Sequence, residues 1–242
     1  MPPHERAQAA SALSHLACGE IELKGRMPWS SNATFLVEVT QEGVAMRAVY
    51  KPVRGEQPLW DFPDGLYVRE AAAYLLSEAL GWGIVPETIV RQDCPLGPGS
   101  LQRFVPADFS EHYFTLLERP EHHDALKTIA TFDLLANNAD RKGGHCLLGE
   151  DGRIWAIDNG LSFHAEPHLR TVIWDFAGEP IPAPLVADAA RLADAGVDGL
   201  AGLDGLLHPV EIDALRRRAA SVAQVAVFPG PGSRHAYPWP LV

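Results

Sequence analysis

Asp140 and Asp158 are the residues whose spacing points most directly to chemistry. Asp140 lies in Asn137-Asn138-Ala139-Asp140-Arg141-Lys142-Gly143-Gly144-His145, and Asp158-Asn159-Gly160 begins thirteen residues after His145. Cys146-Leu147-Leu148 and Ile154-Trp155-Ala156-Ile157 between them read as strands, with Glu150-Asp151-Gly152 as the turn. A tight hairpin brings its ends together, so the two carboxylates should converge. With no obvious cation beside them they repel, and a divalent ion would resolve the repulsion. A loop aspartate acting as base and a second aspartate holding magnesium is an arrangement used for phosphoryl transfer.

Each neighbour has a chemical reading beside a plainer one. Asp140 is the candidate base, presented by a loop that Asn137 and Asn138 hold as the preceding helix ends. Arg141 either neutralises a transferred phosphoryl group or braces the loop. Gly143-Gly144 lets backbone approach a ligand closely. His145 and Asp158 could share a metal. Asp133 is expected to brace the loop through backbone N–H groups. Lys51 ends a strand and could neutralise phosphate charge; Glu70, on the next helix, could orient it or pair locally with Arg69. The turn containing Ser30, Ser31 and Asn32 offers hydroxyls and N–H groups to phosphate oxygens, although no GxxxxGK[ST] motif is present. His122-His123 and His164 with His168 lack the spacing and third ligand of a zinc site.

Several elements must position these groups. Residues 21–24, 35–39, 45–51, 88–91 and 100–105 alternate like strands, with a hairpin turn at Gln41-Glu42-Gly43. Residues 67–80 read as a helix rich in Ala and Leu, stopped by Gly81. His123 to Ala136 carries an apolar stripe at helical spacing, and residues 184–194 and 209–226 read as two further helices. The Pro- and Gly-rich tail from Phe228 is irregular, and its aromatics suit packing across the body. A β-rich first half followed by a helical second half predicts an α+β fold of two lobes around a cleft, divided as 1–105 and 106–242.

Composition narrows the partners. A net charge of −11 disfavours nucleic acid and an anionic membrane surface. Three scattered cysteines without a CxxC spacing argue against a zinc site or a disulfide framework and suit a reducing cytoplasm. The N-terminus lacks the apolar run of a signal peptide, and no stretch suits stable membrane insertion.

Asp140-Arg141, His145 five residues after the aspartate, the hairpin, and Ile157-Asp158-Asn159-Gly160-Leu161-Ser162-Phe163 together resemble the catalytic core of the phosphoinositide 3-/4-kinase-like superfamily. The likeness is greatest to type II phosphatidylinositol 4-kinases; HipA-type serine kinases, Fam20 kinases and a group of actinobacterial kinase-like proteins share the layout. The resemblance spans roughly residues 20–180 and implies a two-lobed kinase-like fold. It implies that Lys51 contacts ATP phosphates, Glu70 positions Lys51, Asp140 is the catalytic aspartate and Asp158 holds Mg2+. Gln102-Arg103-Phe104-Val105 would be the hinge whose backbone reads adenine. His145 stands where these kinases place a metal-binding asparagine, which makes Mn2+ an alternative to Mg2+. The function implied is ATP-dependent transfer of the γ-phosphoryl group to a hydroxyl of a protein, metabolite or lipid. The alternatives are a nucleotide-binding pseudokinase and an AMP transferase on the same fold.

Overall fold

A computed structural model of the chain describes residues 3–28, 32–195, 200 and 202–242. The first half forms an antiparallel five-stranded sheet, in spatial order β1-β2-β3-β5-β4. Its strands are β1 (Glu20–Arg26), β2 (Phe35–Gln41), β3 (Val44–Pro52), β4 (Thr88–Arg91) and β5 (Gly99–Arg103). Glu42 and Gly43 have φ of 51° and 78°, the left-handed pair that a two-residue β2–β3 hairpin requires. Alternation decides which face is core: Val37, Val39, Ala48, Tyr50 and Leu101 are buried under Leu16. Leu16 belongs to α1 (Pro3–Cys18), a helix the sequence reading did not anticipate. Its apolar and polar residues are poorly segregated, so its identity as a helix rests on docking rather than periodicity.

The helix α2 (Leu66–Leu80) ends at Gly81, which has φ of 75° and returns its N–H to Glu78 and Ser77 carbonyls. Ten of its fifteen residues are buried, including Arg69 and Glu70, because it lies between the sheet and the second half of the chain. That second half is built on α4 (His123–Ala136), preceded by the short α3 (Tyr113–Leu117). The hairpin β6 (Cys146–Leu148) and β7 (Ile154–Ala156) follows, then α5 (Ala183–Asp194) and α6 (Pro209–Val225). One apolar cluster joins all of these: Leu126, Ile129, Phe132 and Leu135 of α4 meet Ala156, Phe163, Leu192 and Leu215. β5 stops at Arg103, two residues short of the expected end. Cys18, Cys94 and Cys146 are free thiols. Among the described residues, no helix is long and apolar enough to cross a membrane.

Candidate active site

The loop between α4 and β6 is fixed by side chains rather than by regular structure. Asn137 closes α4 in the left-handed region, with φ of 54°. Its side-chain amide donates to the carbonyls of His164 and Glu166 and accepts from the His168 N–H. Asn138 accepts from the Asp140 N–H at 2.9 Å and donates to Asp133 at 3.1 Å. Asp140 is thus held by its own backbone.

Beneath it lies a fully buried ion pair. Arg141 and Asp133 have side-chain exposures of 0%. The Arg141 guanidinium donates to both Asp133 oxygens, to the Ile157 carbonyl at 2.7 Å and to Asn159 Oδ1 at 2.6 Å. Each nitrogen of its fork is engaged by protein, the arrangement of a brace. Arg141 ties the Asp140 loop to the Asp158 turn. Asp133 braces the loop as expected, through Arg141, Asn138 and Thr171 side chains rather than through backbone N–H groups.

Asp158 sits at the end of the hairpin with φ of 56°, a conformation an aspartate tolerates better than most residues. Lys51 of β3 donates to Asp158 Oδ1 at 2.7 Å and also to Glu70 Oε1. Glu70 Oε2 accepts the Asn159 N–H at 3.0 Å, so one buried glutamate holds both the lysine and the turn. Arg69, the suggested local partner of Glu70, instead pairs with Glu211 at 2.5 Å. Gly160 packs closely here: a Cβ would stand 3.2 Å from Glu70 Oε1, which would have to give by a few tenths of an ångström.

The two carboxylates are not without cations, which corrects the opening expectation. Lys51 meets Asp158 and Lys142 meets Asp140. The sequence contained Lys142 in plain view; its position two residues past Asp140 in an irregular loop is the signal that was available. Burial alone would raise the Asp158 carboxyl, but Lys51 and His145 overcome it and hold the group well below the usual range. Burial pushes Asp140 up, against the pull of Lys142. Burial also raises Glu70, and Asp158 adds to it while Lys51 opposes. Desolvation would lower Lys51; its two carboxylates more than reverse that and keep it charged.

His145 faces Asp158 Oδ2 with Nε2 at 3.4 Å. Burial pushes the imidazole down to about 4, helped by Arg141, Lys142 and Lys51, so it is neutral near pH 7. Its Nδ1 accepts the Lys142 N–H at 3.3 Å, which leaves the single proton on Nε2. That tautomer offers Asp158 an N–H rather than offering a metal a lone pair. His145 thus lies beside Asp158, the other residue expected to hold the metal. Among the described residues, no group of three or more His, Cys, Asp or Glu is placed to hold a metal. The half-exposed Asp158 carboxylate still suits a hard divalent ion that takes most of its oxygens from phosphates and water.

Three cavities run through this site in sequence. The first, about 280 Å³, lies between Met27, Pro28 and Val49 above and Gly144 and Ile157 below, and reaches Gln102, Lys51 and Asp158. The second, about 60 Å³, shares Lys51 and Asp158 with the first and adds Asn32, Glu70, Gly160 and Asp140. The third, about 790 Å³, shares Asp140 and opens beyond it. Ser30 and Ser31 lie outside the described residues. Asn32 reaches the second cavity, and its side-chain oxygen accepts the Gln57 N–H at 3.1 Å.

The expected hinge is only partly in place. Among the four residues, Gln102 is the one lining the first cavity, with its amide donating to Thr88 at 2.9 Å. The Arg103 N–H donates to the Glu87 carbonyl at 2.9 Å and the Phe104 N–H to the Arg47 carbonyl at 3.0 Å. Both donors are engaged by protein. The Arg103 side chain turns away to Glu87 and stacks over Trp155. Val105 is buried against Leu147 and Trp155. The walls Met27, Pro28, Val49 and Ile157 were missed because single apolar residues on four separate elements carry no local pattern.

The chain has a kinase-like fold, with a β-rich first half and a mainly helical second half. Hydra Fam20 solved with sugar aligns with a TM-score of 0.56 at 16% identity, over 91% of this chain and 88% of that one. The Golgi casein kinase with Mn and ADP bound aligns at 0.55 and 14% identity, over 98% and 81%. The Helicobacter pylori proinflammatory kinase CtkA aligns at 0.53 and 9% identity, over 88% and 94%. Likeness at such identities establishes the fold alone. In sequence, the chain is 45% identical over 260 aligned positions to Protein Rv2133c of Mycobacterium tuberculosis, covering 93% of each, and it belongs to the family of that protein. No protein-family model matches it.

Proposed function

We propose that the protein is an ATP-dependent phosphotransferase that moves the γ-phosphoryl group to a hydroxyl acceptor. The observation that carries this is the order of the three cavities. Lys51 and Asp158 join the first to the second, and Asp140 joins the second to the third. A nucleotide in the first cavity would present its phosphates to Lys51, and an acceptor in the third would meet Asp140, as in-line transfer requires. The proposed division of the chain is 1–105 above the cleft and 106–242 below it. The core motif's likeness to type II phosphatidylinositol 4-kinases and HipA-type kinases fits this reading, and the Mn and ADP bound to the Golgi casein kinase agree with nucleotide and metal use.

Lys51, charged and held by Glu70, neutralises phosphate oxygens. Asp158 is the residue that would hold Mg2+ or Mn2+, which when bound supplies charge neutralisation between phosphate oxygens. His145 keeps the Asp158 carboxylate turned toward the cleft. Asp140 accepts the proton of the acceptor hydroxyl; its burial raises its basicity, and Lys142 limits the rise.

His145 in place of an asparagine, with its lone pair on Nδ1 already used, favours one second reading: a nucleotide-binding protein with little or no turnover. One experiment separates them. Purified protein with ATP and either Mg2+ or Mn2+ should release ADP, and Asp140→Asn should slow release about 100-fold or more while still binding ATP. ATP binding without any ADP release selects the non-catalytic reading. Equal turnover in the wild type and Asp140→Asn removes the assignment of Asp140. Product mass separates phosphoryl from AMP transfer, since the adenylyl group is far heavier.

A further inference from the structure

We propose that the third cavity is the acceptor site, that it takes an uncharged hydroxyl compound presenting an apolar face, and that the chain's own segment Tyr237–Leu241 is its specificity-determining wall. This rests on the phosphotransfer reading above.

The groove begins at Asp140 and is bounded on one side by Leu59, Phe62 and Leu161 and on the other by Tyr237, Trp239 and Leu241. The far wall is anchored against the catalytic loop itself. The Gly143 N–H donates to the Leu241 carbonyl at 2.7 Å, and the Thr171 N–H to the Ala236 carbonyl at 3.0 Å. Trp174 Nε1 donates to the same Ala236 carbonyl at 3.2 Å, and its ring meets Tyr237 edge-on. A Cβ on Gly143 would stand 3.3 Å from the Leu241 carbonyl oxygen, so the glycine is what lets the tail approach.

Although this backbone is fixed, the side chains are left in water. Trp239 is 86% exposed, and Trp60, next in sequence to the lining residue Leu59, is 95% exposed. A large exposed aromatic side chain lining a groove suits ligand recognition. Its charge identifies the occupant. The Asp, Lys and Arg side chains among the described lining residues are Asp61, Asp140, Lys142 and Arg170, with His235 beside them. Lys142 is paired with Asp140, and Arg170 with Asp61 at 3.0 Å. Each of these two cations already has a carboxylate partner, so a phosphorylated or carboxylated acceptor would compete with, and be repelled by, a carboxylate already in place. A neutral compound can stack an apolar face on Trp239 and present a hydroxyl to Asp140 without that cost.

Phenyl β-D-glucoside and phenyl phosphate share a ring and differ in charge, and serve as probes. Their binding to the full-length protein saturated with Mn2+ and ADP is measured by saturation-transfer NMR and calorimetry at low salt. The glucoside should bind, and the phosphate at least about 10-fold more weakly. Trp239→Ala should weaken the glucoside at least about 10-fold, with ADP affinity unchanged. Equal or tighter binding of phenyl phosphate, no binding of the glucoside, or indifference to Trp239→Ala overturns the proposal. Failure of the phosphotransfer reading is seen separately, as wild-type protein that neither binds nor turns over ATP.

Discussion

Replacing Arg141 with methionine is expected to expose how the site is held together, and the cost can be worked from the burial. The guanidinium is the main counter-charge of Asp133, and both side chains are fully buried. Removing one partner of such a pair leaves an uncompensated charge, which costs about 3–5 kcal/mol. Protonation of Asp133 sets a ceiling on that cost. Its ordinary pKa is 3.8, so carrying a proton at pH 7 costs about 4.4 kcal/mol at about 1.4 kcal/mol per pH unit. The same ceiling at pH 5 is about 1.6 kcal/mol. The sign follows from linkage. Burial already raises Asp133 against the pull of Arg141, and without that partner it rises further above its unfolded value, so the variant's stability is retained at low pH and lost further as pH rises. Urea unfolding of wild type and Arg141→Met at pH 5 and pH 7 should therefore show a destabilisation of about 4 kcal/mol at pH 7, falling by more than half at pH 5. A loss under 1 kcal/mol at pH 7, or one that does not change with pH, would refute the assignment of Arg141 as the brace of a buried carboxylate.

Two further outcomes follow from the same geometry. Lys51→Met should lower affinity for Mn2+–ATP at least about 10-fold in calorimetry, because Lys51 is the cation shared by the first two cavities; unchanged affinity would place the nucleotide elsewhere. His145 is pushed down to about 4 by burial, so between roughly pH 6.5 and 4 the unfolded chain binds a proton that the folded chain refuses, and stability falls as pH falls. That loss is on the order of 3 kcal/mol, and His145→Asn should remove it; parallel stability–pH curves for the two proteins would sink the account.

Much of this fold was legible because its signals are local. The α4 and β4 boundaries, the Gly81 stop and the hairpin between β6 and β7 follow from periodicity and turn residues within a few positions. The helix α1 was not legible, because poorly segregated apolar residues become a packing face only when a sheet lies beneath them. At the end of β5 the sequence did not show that Gln102 lines the cleft while the Arg103 and Phe104 N–H groups bond the Glu87 and Arg47 carbonyls, because those partners come from other segments of the chain.

By itself, the sequence determined that two carboxylates would meet across a hairpin and that Lys51 and Glu70 were available upstream. Residue type and short-range spacing suffice for that. Only the tertiary structure decided that the Arg141 guanidinium is buried against Asp133 and Asn159, that His145 lies 3.4 Å from Asp158, and that residues 237–241 line a groove reaching Asp140. Those outcomes depend on which groups share a desolvated volume. Burial, pairing and tautomer are fixed by neighbours as many as a hundred residues away in the chain, such as the Lys51–Asp158 pair, 107 positions apart. No local pattern records them.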